Sequence, residues 1–298
     1  MDSKSVLFKG SLVALVTPMK ANGAIDRQAL RSLVDWHIAA GSHGLVIMGT
    51  TGESSLVSVD EHVDAVEIAV EQAQGKLQII AGCGSASTAK GINLVGRLNS
   101  LAIDGFLCVT PYYVKPTQRG MVKHFEAVAN ACEAPLILYN VPSRTSVDLS
   151  NDMVIELARH PNIVGIKDAT GDIDRAKDLV ARLDPEFSLL SGDDATALDF
   201  IKVGGHGVIT VTGNIAPAEV SHWCELALAG EYEKAQSVFV RLSPLNEVLF
   251  IEANPIPVKW ALAQMKKISD CIRLPLTSPE SQSKEQIKLA LEKSAIRW

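Results

Sequence analysis

Eight short apolar runs recur along the chain: Ser11–Met19, His43–Gly49, Leu77–Cys83, Gly105–Thr110, Ala134–Val141, Ile163–Ala169, Phe187–Asp194 and Gly207–Asn214. Each is a continuous hydrophobic stretch and not an alternation, the pattern of a strand buried on both faces. Between them lie segments with helical spacing. Asp26 is placed to cap a helix whose Leu30, Leu33, Val34 and Ile38 share one face and which Gly41 stops. Ser58-Val59-Asp60-Glu61 has capping-box spacing ahead of Val63, Val66 and Val70. Ser150 heads a further helix through Val154, Leu157 and Ala158, and Pro161 ends it. Such strand–helix alternation over about 220 residues predicts an α/β protein whose parallel sheet closes on itself, a (β/α)8 TIM barrel. A doubly wound open sheet is the runner-up, but no GxGxxG follows the first strand.

The rest of the chain is helical in pattern, over Ala218–Leu228, Tyr232–Leu249, Pro257–Lys267 and Lys284–Ser294. The last three exceed what an eighth barrel helix needs. The expected division is therefore a catalytic barrel over 1–228 and a C-terminal helical extension over 229–298, packed on the barrel or on a partner chain.

Composition narrows the function classes. The 298 residues, 47% hydrophobic and 21% charged, are enough to bury a substantial core. A net charge of −6 argues against a nucleic-acid binder, which carries a basic face. No run approaches the ~18 apolar residues of a membrane-spanning helix. The segment from Met1 to Met19 carries Lys4 and Lys9, but its apolar run is short and ends in Thr17-Pro18 without a small-residue cleavage pattern. It is expected to be a first strand and not a signal peptide. Cys83, Cys108, Cys132, Cys224 and Cys271 are odd in number and widely spaced, as expected of reduced thiols in a cytoplasmic protein. The seven histidines show no HExxH and no pairing with cysteine, so no metal site is expected.

Chemistry in such a barrel sits where the strands end, because side chains fill the interior below. Polar residues crowd those ends: Gly49-Thr50-Thr51-Gly52-Glu53, Thr110-Pro111-Tyr112-Tyr113, Tyr139 through Thr145, Lys167-Asp168, Ser191-Gly192-Asp193-Asp194, and Thr210 through Asn214. Lys167 is the focus. A buried amine loses hydration, which disfavours its charged form, and a neutral amine can form a Schiff base with a carbonyl. The bland alternative places it just past the strand in water. Thr50 and Thr51 could form a self-bonded turn, or offer hydroxyls and N–H groups to a small carboxylate. Tyr139 is either a core aromatic or a proton relay beside Lys167. Arg144 is either a solvated loop charge or a clamp for a second carboxylate. Asp193 and Asp194 are expected to cap the next helix.

The segments Gly49–Glu53, Val109–Tyr113, Tyr139–Thr145 and Gly165–Asp172, with Asn254-Pro255-Ile256-Pro257-Val258-Lys259 in the helical tail, resemble the signatures of the dihydrodipicolinate synthase family. The likeness runs from about residue 8 to the C-terminus. It implies that Lys167 condenses with the keto carbon of pyruvate and that the resulting enamine attacks the aldehyde of L-aspartate 4-semialdehyde. The product would be 4-hydroxy-tetrahydrodipicolinate, on the way to diaminopimelate and L-lysine. By the same resemblance, Thr50 and Thr51 hold pyruvate's carboxylate, with the Ile209 carbonyl near the imine. Tyr139, Thr51 and Tyr113 relay protons, and Arg144 receives the second carboxylate. Tyr113 would come from the neighbouring subunit of a homotetramer, a dimer of dimers, with no metal or organic cofactor.

One departure stands out. Where lysine-inhibited relatives keep a histidine and an acidic residue, this chain has Val59 and Lys90. A lysine facing a lysine ligand repels it, so feedback inhibition by L-lysine is expected to be weak or absent. Three rivals remain at this point: an N-acetylneuraminate or keto-deoxy sugar acid aldolase of the same Schiff-base type, a metal-dependent barrel enzyme, and a catalytically silent binding protein. Arg144 speaks against the first, because a polyol needs hydroxyl partners and not a carboxylate clamp.

Overall fold

The strands begin close to where the apolar runs do. The computed structural model describes residues 6–298; the first five, which the reading of Met1 to Met19 includes, lie outside the described residues. Eight strands are present: β1 Gly10–Ala14, β2 Gly44–Ile47, β3 Gln78–Gly82, β4 Gly105–Val109, β5 Leu136–Asn140, β6 Ile163–Asp168, β7 Ser188–Ser191 and β8 Gly207–Thr210. They pair in sequence order, all parallel, and β8 returns to β1 to close the barrel.

The helices follow the expected signals. α1 (Arg27–Ala40) is capped by the Asp26 carboxylate, which accepts from Ala29 N, and Gly41 ends it in the left-handed conformation. α2 (Val59–Ala73) opens with both bonds of the Ser58–Glu61 capping box. α3 (Thr88–Leu98), α4 (Gln118–Ala131), the one-turn α5 (Pro142–Thr145), α6 (Asn151–Leu157), α7 (Ile173–Arg182), α8 (Ala197–Lys202) and α9 (Pro217–Leu228) complete the outer ring. α10 (Tyr232–Val248), α11 (Ile256–Gln264) and α12 (Ser281–Lys293) follow. Ser150 stands at the N-cap of α6 but makes no side-chain cap bond.

Two apolar layers result. Leu12, Ala14, Val46, Ile80, Leu107, Ile137, Leu190 and Ile209 fill the barrel, with Phe8 closing the end opposite the strand termini. A larger layer lies between the strands and helices and continues without a break into Leu242 and Leu245 of α10, Leu249 just after it, and Val258 and Leu262 of α11. This shared core seats the helical extension against the barrel. Burying a side chain of this size contributes about 1.5–3 kcal/mol, so docking and barrel closure are coupled. No helix among the described residues is long and apolar enough to cross a membrane.

Candidate active site

Parity along β6 decides where the chemistry points. Successive side chains of a strand face opposite ways, so Lys167 turns into the barrel mouth while Asp168 turns outward. Lys167 is 6% exposed. Its Nζ lies 4.3 Å from the centroid of the Tyr139 ring, which the register places directly across on β5. Among the described residues no carboxylate forms an ion pair with it. Gly192 makes room for it: a Cβ there would lie 2.9 Å from Lys167 Cε and 2.8 Å from Ala169 Cβ, so any larger residue would press on the amine's stem.

Asp168, facing the other way, braces the same strand. Its Oδ1 accepts from Asn140 Nδ2 at 3.1 Å and its Oδ2 from Thr170 Oγ1 at 2.5 Å. Arg175 Nε stands 3.2 Å from Oδ1, an ion pair whose angle is too bent for a hydrogen bond. Arg175 also reaches Asp148 at 3.2 Å, and Asp148 Oδ1 accepts from Asn140 Nδ2 at 2.7 Å. The residues immediately after Tyr139 and Lys167 are thus tied to each other and to α7. This fixes the two strand ends that carry the ring and the amine.

The cleft above has two lobes of about 180 and 240 Å³, both smaller than the roughly 300–1,000 Å³ of drug-sized pockets and suited to small acids. Gly49, Thr50, Leu107, Tyr139, Val141 and Arg144 border both. The first lobe adds Lys167, Thr51, Asp193, Val211, Phe250 and Asn254. The second adds His62 and Tyr112. His62 Nε2 lies 2.8 Å from the Gly82 carbonyl. Burial lowers its pKa to about 4, partly offset by that carbonyl.

The turn after β2 is bonded from Gly52 and Ser54 to the Gly49 carbonyl and from Glu53 to the Thr50 carbonyl. Those bonds use neither the Thr50 nor the Thr51 N–H. The turn is closed by its backbone and not by the threonine hydroxyls; Thr51 Oγ1 accepts instead from Asn254 Nδ2 at 2.9 Å. Arg144 lies in the single turn of α5, and its Nη2 donates to the Asn254 carbonyl at 3.1 Å, so the guanidinium is held at the rim. Four expected residues, Thr50, Thr51, Tyr139 and Arg144, therefore meet Lys167 around one lobe. Tyr113 does not. The Ile209 side chain packs within the barrel below, and Val211, just past β8, borders the lobe. Tyr113, with φ of 72°, is 91% exposed and borders neither lobe.

The acidic pair after β7 differs from expectation, because neither caps α8 directly. Asp193 Oδ2 accepts from Thr196 N and Oγ1 at 3.1 and 2.7 Å, one residue ahead of the helix. Asp194 is buried and accepts from Val211 N and Thr212 N at 2.7 and 3.1 Å, binding the end of β7 to the end of β8. Desolvation raises its pKa, against the pull of those donors. Among the described residues no group of three or more His, Cys, Asp or Glu side chains is placed to hold a metal ion.

Sequence reasoning gave no role to Asn254, although it lies within the tail motif. Asn254 Nδ2 donates to Thr51 Oγ1 at 2.9 Å across 203 residues of chain. Its only signal was a polar residue set between Ala253 and the Pro255-Ile256-Pro257 segment that opens a buried helix.

Comparison with known proteins places this geometry. A model of the dihydrodipicolinate synthetase family matches residues 7–294. A 4-hydroxy-tetrahydrodipicolinate synthase from Pseudoalteromonas atlantica is 50% identical over 291 residues, covering 97% of this chain and 99% of its own. The chloride-inhibited dihydrodipicolinate synthase of Acinetobacter baumannii, complexed with pyruvate, superposes with a TM-score of 0.95 at 47% identity, covering 97% of this chain and 99% of its own. A dihydrodipicolinate synthase variant described as monomeric superposes with the same score at 37% identity, over 98% of each chain. The chain belongs to the dihydrodipicolinate synthetase family.

Proposed function

We propose that the chain is a lyase that condenses pyruvate with L-aspartate 4-semialdehyde to give 4-hydroxy-tetrahydrodipicolinate, with Lys167 as the nucleophile. One observation supports this most: the buried Lys167 amine, without a carboxylate partner among the described residues, opens on a lobe walled by Thr50, Thr51, Tyr139 and Arg144. The amine adds to the keto carbon of pyruvate and water leaves, forming an imine. Loss of a methyl proton gives an enamine, whose carbon forms the new bond to the aldehyde. The amino group of the second substrate then displaces Lys167 from the imine carbon and closes the ring, freeing the enzyme. The protonated imine is itself the electron sink, so this route asks for no cofactor.

Each step needs a proton moved and two carboxylates held. The Thr50 and Thr51 N–H groups and the Thr51 hydroxyl suit pyruvate's carboxylate, and the Ile209 carbonyl would lie below the imine. Arg144 suits the carboxylate of the semialdehyde, as a planar fork at the rim. The Tyr139 hydroxyl and Thr51 relay protons to and from the amine's neighbourhood. Tyr113 would complete this relay in an adjoining copy, because it faces away from its own cleft while Tyr112 borders it. Tyr112, Tyr113 and Val114 expose apolar surface in one loop, which suits self-association as a dimer of dimers. The same reading divides the chain into a catalytic barrel, 1–228, and a helical segment, 229–298, that supplies one wall of the site. Five free cysteines, four of them buried, suit the cytoplasm.

The test is borohydride reduction in the presence of pyruvate, followed by peptide mass spectrometry. The expected result is a pyruvate-derived mass on the peptide containing Lys167. An unmodified Lys167 would rule out the Schiff-base route and leave a binding role for the barrel.

A further inference from the structure

The turn Gly49–Glu53 carries Thr50 and Thr51, and two parts of the chain hold it from outside. Thr17 Oγ1, from the loop after β1, donates to the Gly52 carbonyl at 2.7 Å. Three further bonds come from the segment that follows the barrel. Asn254 Nδ2 donates to Thr51 Oγ1 at 2.9 Å, Lys259 Nζ to Glu53 Oε1 at 2.5 Å, and the Arg273 amide to Glu53 Oε2 at 3.2 Å. Arg273 is itself anchored, its Nη1 donating to the Leu56 carbonyl at 2.8 Å and to Glu61 Oε2 at 2.9 Å.

Glu53 is the joint. Its carboxylate is fully buried, so it cannot exchange its partners for water, and its position follows theirs. Its backbone is left-handed, with φ 59° and ψ 34°, a conformation that a residue with a side chain keeps only where the surroundings over-determine it. Its amide donates to the Thr50 carbonyl at 3.1 Å. Relaxation of Glu53 toward an ordinary conformation therefore carries the Thr50 and Thr51 peptides with it. Neither Glu53 nor Lys259 borders either lobe of the cleft, so their influence there runs through the turn.

We propose that the buried Glu53–Lys259 pair is a positioning device for the pyruvate subsite: through Glu53, the segment after the barrel sets where the Thr50 and Thr51 N–H groups meet the acid's carboxylate. The proposal rests on the function proposed above, which assigns those groups to pyruvate. Ligand-binding groups work within about 0.5 Å of their productive place, and a displacement of about 1 Å can cost as much as 100-fold. The carboxylate is held alike before and after the imine forms. Loosening the turn thus raises the pyruvate requirement without lowering the rate at saturation. The semialdehyde's carboxylate lies at Arg144, whose bond is to Asn254 and not to Glu53, so its requirement stays.

The deciding variant is Glu53→Gln combined with Lys259→Met, which removes both charges and leaves neither ion buried alone. Full-length protein is followed by the initial rate of borohydride trapping against pyruvate concentration, by kcat and both KM values, and by its melting temperature. The expected result is at least about fivefold more pyruvate for half-maximal trapping, a full adduct at saturation, and kcat and semialdehyde KM within about twofold of wild type. A smaller rise, or an equal rise in the semialdehyde KM, would overturn the proposal and leave the pair a purely structural seam. If the variant does not fold, hydrogen exchange on wild type decides. Coupling is reciprocal, so saturating pyruvate should slow exchange of the Arg273 amide, which lies outside both lobes, by more than it slows the amides of α12. Equal slowing would overturn the proposal. Trapping of wild type separates the two levels: no adduct refutes the Schiff-base function, while a normal adduct with an unchanged pyruvate requirement in the variant refutes only the positioning role.

Discussion

Two lysines among the described residues lie below the surface, Lys167 at 6% exposure in the barrel mouth and Lys259 at 3% in the seam between the barrel and α11. Lys259 Nζ contacts Glu53 Oε1 at 2.5 Å, and Glu53 Oε2 also accepts from Arg273 N at 3.2 Å. Burial lowers the pKa of Lys259, and the adjacent Glu53 charge pulls it back up. Lys167 has a tyrosine ring beside it and no such carboxylate. Burial alone therefore does not make a reactive amine. A carboxylate in contact occupies an amine's donors, while its absence leaves room beside the nitrogen for another group. Lys259 joins two parts of the fold, and Lys167 lines the cleft without an ion-pair partner among the described residues.

The contrast can be tested directly by removing each amine in turn. Lys167→Met should lower kcat by at least roughly 10⁴-fold without reducing thermal stability, as read by a coupled assay and a melting curve. A loss under tenfold would move the chemistry elsewhere. Lys259→Met should do the reverse, costing about 3–5 kcal/mol of unfolding free energy because Glu53 is left buried and unpaired. Its folded fraction should still form the pyruvate adduct, and adding Glu53→Gln should recover much of the lost stability in urea titrations.

A smaller effect separates the rim from the nucleophile. Arg144→Ala should spare the adduct yet lower kcat/KM for the semialdehyde by roughly 30- to 1,000-fold, about 2–4 kcal/mol. An equal loss of adduct formation would show that Arg144 serves pyruvate instead.

Buried histidines extend the comparison to groups held neutral. Burial lowers His37 to about 3 and His62 to about 4, from 6.5. The unfolded chain takes up both protons near pH 6.5, whereas the folded chain resists until well below. The unfolded state thus binds more protons in between, and stability should fall as pH drops from about 6.5 toward 4. Each histidine contributes at most about 1.4 kcal/mol per pH unit. Urea midpoints against pH should show this slope, and His62→Gln should make it shallower.

The smallest expected effect is at L-lysine. Val59 and Lys90 are both exposed, at the first turns of α2 and α3. Saturating substrate with up to millimolar lysine should leave the rate nearly unchanged, and inhibition below a millimolar would show this expectation wrong.

Much of the barrel was legible because each strand is a continuous apolar run closed by turn chemistry. The runs overshoot at their ends, and the excess has a physical reason. Ser11–Met19 contains β1 only as far as Ala14, yet Leu15, Val16 and Met19 are still buried. Leu15 and Val16 belong to the layer between strands and helices, and burial is what hydrophobicity reports. The acidic pair was harder. Asp193 and Asp194 resemble a helix cap in one dimension, but Asp194 reaches β8, and its partners Val211 and Thr212 lie 17 and 18 residues on.

By itself the sequence determined the order of strands and helices, the end of the barrel that bears polar residues, and the strand end that carries Lys167. Those follow from periodicity and turn chemistry, which act over a few residues. The tertiary structure alone decided which buried lysine meets a carboxylate, that Tyr113 turns away from its own cleft, and that Asn254 stands between Thr51 and Arg144. These depend on contacts across as many as 203 and 206 residues. Closure of the barrel and docking of the helical tail set them, and no local pattern encodes such distances.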